Sequence, residues 1–165
     1  QCPLLQWHLI GHLQRNKVNR ASEIFNCVQS VDSERLAQSL DRRGGELGKV
    51  LDCLAQVKIS DEPSKSGMAP DQLEPFLEFC SSLKNVRVRG LMAIAPYLEQ
   101  SELQRPYFAQ ARKFFEQHFT GAKSAESPIL SMGMSGDFET AIEEGANIVR
   151  VGTLIFGPRQ YARAA

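Results

Sequence analysis

The sequence predicts an α/β protein built on a parallel sheet, a TIM-type (β/α)8 barrel with six of its eight βα units present. Three observations carry this. Apolar runs of strand length alternate with runs of helical period through all 165 residues, the pattern of parallel strands joined by right-handed crossover helices. Polar, glycine-containing segments follow the strands throughout the chain, which suits a closed barrel better than an open doubly wound sheet. The length falls short, because an eight-unit barrel typically takes about 250 residues and at least about 200. The opening has no strand-helix lead-in, so the expectation is that the chain begins inside a larger fold, two units in. With no repeat, composition shift or linker, residues 1–165 are expected to form a single domain.

The elements follow in order. Residues 7–10 read as a strand, 17–24 as a helix, 27–30 as a strand, 33–43 as a helix and 50–59 as a strand. Residues 70–83 read as a helix with Pro70 in its first turn, where a missing N–H is harmless, and with Leu73, Phe76, Leu77 and Cys80 on one stripe. A strand over 86–94 leads to the longest helix, 102–119, where Phe108, Ala111, Phe115 and Phe119 fall at helical spacing with Phe114 beside them. Strand 129–131, helix 138–144 and strand 148–151 close the series. The connections 61–69 and 95–101 are longer than the other strand-to-helix turns, and α/β proteins place working loops there.

Composition narrows the function. Nineteen basic and nineteen acidic residues cancel, so no global field recruits nucleic acid or anionic lipid, and Arg15, Lys17 and Arg20 make only a small local patch. No apolar run reaches the roughly 18 residues of a spanning helix, and Gln1-Cys2-Pro3-Leu4 does not open a signal peptide; a cytoplasmic protein is expected. Cys2, Cys27, Cys53 and Cys80 are scattered without a C-x-x-C and read as reduced thiols.

The richest chemistry lies at the ends of the last two strands. Ser131, Gly133 and Ser135 alternate with Met132 and Met134, and Asp137 precedes a helical run; Ser135 or Asp137 suits an N-cap, and a helix start presents free amides to an anion. In the final strand Arg150 shares a face with Ile148 and Gly152; Gly152 permits close backbone approach, and Thr153 adds a hydroxyl. The plain alternatives are an ordinary cap and a salt-bridged arginine. Two consecutive strands ending in such residues favour a phosphate, which barrels hold at that place. His8 and His12 lie on a strand and turn, not on one helical face, which disfavours zinc, although His8 can point inward. Lys65 sits in a polar loop, and Lys58 at a strand end reads as a snorkelling lysine more readily than as a nucleophile. No G-x-S-x-G or cysteine–histidine pairing suggests a nucleophilic triad.

The ordered segments Trp7-His8-Leu9-Ile10-Gly11-His12-Leu13-Gln14-Arg15-Asn16-Lys17, Ile59-Ser60-Asp61-Glu62-Pro63-Ser64-Lys65-Ser66-Gly67, Arg89-Gly90-Leu91-Met92-Ala93-Ile94, Leu130-Ser131-Met132-Gly133-Met134-Ser135 and Val149-Arg150-Val151-Gly152-Thr153 closely resemble the YggS/PROSC family of pyridoxal phosphate homeostasis proteins. The resemblance spans essentially the whole chain. It implies a barrel like the N-terminal domain of alanine racemase, with pyridoxal 5′-phosphate at the strand C-termini and no second domain. It implies a cytoplasmic protein, monomeric at full length, that buffers the cofactor or delivers it to cofactor-dependent apoenzymes without established turnover. Carried over, the cofactor-binding residues are Ser131, Gly133, Met134, Ser135, Arg150, Gly152 and Thr153. Ser135, Gly152, Thr153 and the amides around Met134 would take the phosphate, and Arg150 would face the pyridine nitrogen. A fixed cation there disfavours ring protonation and weakens the ring as an electron sink, which suits a carrier or a racemase better than an aminotransferase. The family's Schiff-base lysine is expected upstream of Gln1, so no catalytic residue is assigned. Lys58 departs from the asparagine more usual in the family. The alternatives are an amino-acid racemase or decarboxylase, which would lack an opposing acid-base domain, and a barrel for another phosphorylated metabolite.

Overall fold

The computed structural model describes residues 5–60, 62, 66–120 and 128–158. Six strands, β1 (His8–Leu9), β2 (Cys27–Val31), β3 (Leu51–Val57), β4 (Val86–Ala93), β5 (Ile129–Met134) and β6 (Ile148–Arg150), form one parallel sheet in sequence order. Helices α1 (Val18–Ile24), α2 (Glu34–Leu47), α3 (Leu73–Ser81), α4 (Arg105–Phe119) and α5 (Phe138–Glu143) fill the gaps, and α6 (Thr153–Phe156) follows the last strand. The predicted alternation is the observed one. Its boundaries differ where 3-10 turns replace the first turn of a helix, at Pro70–Gln72 before α3 and at Ser101–Gln104 before α4.

The sheet is curled. In a flat sheet strands lie about 4.8 Å apart, so β2 and β5 would be separated by roughly 14 Å. Instead the Ser131 hydroxyl donates to Gln29 Oε1 at 2.6 Å across the concave side. Side chains alternate along a strand, so Cys27, two residues from Gln29, and Ile129, two from Ser131, share that side. They pack there with Leu54, Met92 and Ile94 as a small apolar cluster. Beyond it Asp52 accepts from both Arg87 and Arg89, an ion triad that pins β3 to β4.

The convex side carries the main core. Leu40 of α2, Leu73 of α3 and Phe108 of α4 are wholly buried against Val57, Leu91, Leu130 and Met132 of the sheet. Each such side chain contributes about 1.5–3 kcal/mol on burial. The phenylalanine stripe of α4 is as the spacing predicts: Phe108 and Ala111 are buried, while Phe115 and Phe119 stack with ring centroids 5.8 Å apart. The stripe of α3 likewise buries Leu73, Phe76 and Cys80.

Gly90 permits the β4–β5 contact. Its φ is +156°, and a Cβ there would lie 1.9 Å from the carbonyl oxygen of Ile129. No other residue fits that approach. Cys27, Cys53 and Cys80 are buried free thiols, while Cys2, Asp61 and Lys65 lie outside the described residues. Among the described residues no helix is long and apolar enough to cross a membrane.

Candidate functional site at the ends of β5 and β6

Arg150 is the last residue of β6 and points across the concave side. Its Nη1 donates to Ser131 Oγ at 2.9 Å and its Nη2 to the carbonyl oxygen of Ala93, at the end of β4, also at 2.9 Å. The guanidinium thereby ties β6 to both β5 and β4. Burial pulls its pKa down to about 10, with Asp137 opposing, so the cation persists at neutral pH.

Past β6 the chain turns at Gly152 into α6, whose first-turn amides gather on one oxygen. Ser135 Oγ accepts from the Gly152 N–H at 3.0 Å and from the Leu154 N–H at 3.4 Å. Among the described residues nothing lies within 4 Å of where a Cβ on Gly152 would stand. Converging amides of this kind suit a negatively charged oxygen.

Two capping expectations are corrected here. Ser135 does not cap α5; its hydroxyl is drawn to the amides of α6, a short helix beyond the predicted strand 148–151. Asp137 stands at the N-cap position of α5 but makes no side-chain bond into that helix. Its Oδ1 accepts instead from the Met134 N–H, and its Oδ2 from Gln104 Nε2 at 2.8 Å. Buried Gln104 also donates to the Pro96 carbonyl, so Asp137 and Gln104 together tie the β4–α4 connection to the end of β5.

The other predicted site residues divide. Ser131 is fully buried beneath Arg150. Gly133 has φ +90°, and a Cβ there would meet Ala141 Cβ at 2.6 Å, so its smallness seats α5 on β5. The Met134 amide is occupied by Asp137, with its side chain exposed. Thr153 is exposed in the first turn of α6. Lys58 borders a cleft of about 760 Å³ with Ser60, Glu62, Tyr107 and Gln110, whose lining includes neither Arg150 nor Ser135.

Two residues that the sequence reading did not connect to Arg150 extend the cluster. Ser131 hydrogen-bonds Gln29, and Gln29 Nε2 lies 2.8 Å from His8 Nδ1. Gln29 is 1% exposed, within a strand buried along its whole length. A glutamine in so apolar a strand needs a partner, and that was the available signal.

A curled parallel sheet with converging amides and a fixed cation at its C-terminal rim belongs to the α/β barrel class, whose working sites lie at that rim. Residues 3–160 match the family model "Alanine racemase, N-terminal domain". Alanine racemase from Clostridium difficile superposes with a TM-score of 0.71 at 16% identity, over 93% of this chain and 42% of that one, a likeness of fold. Pyridoxal phosphate homeostasis proteins of Aquifex aeolicus and Vibrio cholerae are 44% and 42% identical over 95% and 98% of the chain, which covers 68% and 67% of theirs. PipY of Synechococcus elongatus, solved with the cofactor bound, superposes with a TM-score of 0.83 at 42% identity, covering 94% of this chain and 72% of that one. The chain therefore belongs to the pyridoxal phosphate homeostasis protein family, and it spans about two thirds of the length of those curated relatives.

Proposed function

We propose that this chain binds pyridoxal phosphate and serves as a cytoplasmic buffer or donor of the cofactor toward cofactor-dependent apoenzymes, without catalytic turnover of its own. The observation that carries the reading is the turn into α6, where two amides converge on the Ser135 hydroxyl. The donor set fits the group. The amides of Gly152 and Leu154 and the hydroxyls of Ser135 and Thr153 suit the phosphate, while Arg150 suits the ring nitrogen. Ser131 holds Arg150 from below, and Gly133 and Met134 shape the loop that carries Ser135.

The cofactor supplies an aldehyde and an electron-withdrawing ring when bound. Arg150, already fixed by Ser131 and Ala93, would serve as a fixed donor toward the ring nitrogen. A fixed cation there would disfavour protonation of that nitrogen, which would restrain carbanion chemistry and suit storage. Relatives named as homeostasis proteins and the cofactor-bound PipY support this reading.

The test is uptake of pyridoxal phosphate by the full-length protein, followed by visible absorbance. Ser135→Ala is expected to weaken uptake roughly tenfold, as loss of one charge-assisted hydrogen bond does. Absence of any uptake by the unaltered protein overturns the proposal.

A further inference from the structure

The hydrogen bonds beneath Arg150 run in one direction. A guanidinium only donates, so Ser131 Oγ must accept from Nη1. The Ser131 proton is then directed to Gln29 Oε1 at 2.6 Å. That fixes the amide with Nε2 toward β1, where it meets His8 Nδ1 at 2.8 Å. Since Nε2 only donates, Nδ1 has to be an unprotonated acceptor, with the imidazole proton on Nε2.

We propose that His8 and Gln29 are positioning residues for Arg150: the donor chain from Arg150 through Ser131 and Gln29 ends on neutral His8 and fixes how the guanidinium is presented to a bound ring nitrogen. The inference rests on the reading of Arg150 as the cofactor's ring partner. It assigns a role to two strands, β1 and β2, that do not contribute to the phosphate turn.

The chain has only one consistent arrangement while Arg150 is charged. A proton on His8 Nδ1 would face the amide donor of Gln29. Turning the amide relieves that contact but presents Nε2 to Ser131, which then accepts twice and must find another acceptor for its own proton. In a site where Ser131 and Gln29 are 0% and 1% exposed, that proton is left unpaired. Protonation of His8 therefore loosens Arg150. The charged groups around the imidazole are Asp52 of β3, itself held by Arg87 and Arg89 of β4, and Arg150 of β6 at the far end of the chain. On β2, the Cys27 thiol is pushed up to about 12 and remains neutral. Burial lowers the His8 pKa against the opposing pull of Asp52, consistent with a neutral imidazole.

Two measurements on the full-length protein decide the matter. In the ligand-free protein, nitrogen NMR is expected to find His8 as the Nε2–H tautomer, and Ser131→Ala is expected to raise its titration midpoint, because the Gln29 amide becomes free to turn. In titrations with pyridoxal phosphate, His8→Leu is expected to weaken binding roughly tenfold, the effect of one unpaired buried donor. His8→Asn, which restores an acceptor that does not titrate, is expected to bind within about twofold of the unaltered protein and to lose the dependence on His8 titration. His8 titrating identically with and without Ser131, or His8→Leu binding as tightly as the unaltered protein, overturns the inference. If the unaltered protein takes up no cofactor, the proposed function falls, and the NMR measurement still judges the relay.

Discussion

Arg150 has both terminal nitrogens committed, to a hydroxyl on β5 and a carbonyl on β4, a geometry that needs a planar fork rather than a point charge. Arg150→Lys keeps the charge but loses at least one of these bonds. It is expected to weaken pyridoxal phosphate binding about tenfold and to shift the bound cofactor's absorbance, measured by spectrophotometric titration. His8 supplies a pH dependence of stability. Its pKa is lowered on folding from the ordinary 6.5 by burial, so the unfolded chain binds more protons between the two values and stability rises with pH there. The contribution is intact above 6.5 and is lost as pH falls through the folded value. Denaturant titrations across that window should show a slope that His8→Asn flattens. The thiols predict a chemical outcome: burial pushes Cys80 up to about 12 and Cys53 well above its ordinary value, as it does Cys27. Since the thiolate is the reactive form, all three should resist alkylation at pH 8 and become labelled only in denaturant, as read by peptide mass spectrometry.

At the scale of elements, the close pass of α2 over the connection from α3 to β4 gives a paired test. A Cβ on Gly44 would meet the Asn85 and Lys49 carbonyl oxygens, each at 2.8 Å, and the Asn85 backbone is itself anchored by Asp41. Gly44→Ala is expected to destabilise by about 1–3 kcal/mol through overpacking. At Gly45 the nearest atom is the movable Asn85 amide nitrogen at 3.1 Å, so Gly45→Ala should be neutral or gain up to about 1 kcal/mol from helix propensity. Equilibrium unfolding of the two variants separates these outcomes. The same helix shows what the sequence concealed. Its apolar stripe was legible to residue 43, but α2 continues through both glycines to Leu47 and stops at Gly48, whose φ is +64°, because packing on Asn85 overrides the glycines' poor propensity. Helix α6 was hidden because Thr-Leu-Ile-Phe is apolar and β-prone, and four residues are too few to show a helical period. Arg150, Ser135 and Gly152 were visible because each breaks its local pattern. The pairing of Ser135 with α6, and of Gln29 with Ser131, was not, since these residues are 17 or more positions apart; the first follows from the pairing of β5 with β6, the second from the curl that brings β5 to β2.

For the whole molecule, the decisive quantity is the curvature that lets β5 touch β2 while β1 and β6, among the described residues, each pair on one side only. Unpaired parallel strands offer free backbone groups to a neighbour, and closure is what normally removes such edges from a barrel. Apolar side chains collect at both edges. Trp7 and Ile10 flank β1 at 58% and 48% exposure, and Leu154, Ile155 and Phe156 beyond β6 reach 62%, 68% and 85%. The five are too large and too grouped to be scattered surface residues. A chain of these 165 residues is therefore expected to self-associate with rising concentration and to bind a hydrophobic dye. Replacing Ile155 and Phe156 with serine should reduce both effects without lowering thermal stability, because neither side chain is part of the core. Sedimentation velocity of the two forms provides the measurement. A chain that remains monomeric at high concentration and leaves the dye dark would show that these edges are satisfied in some other way.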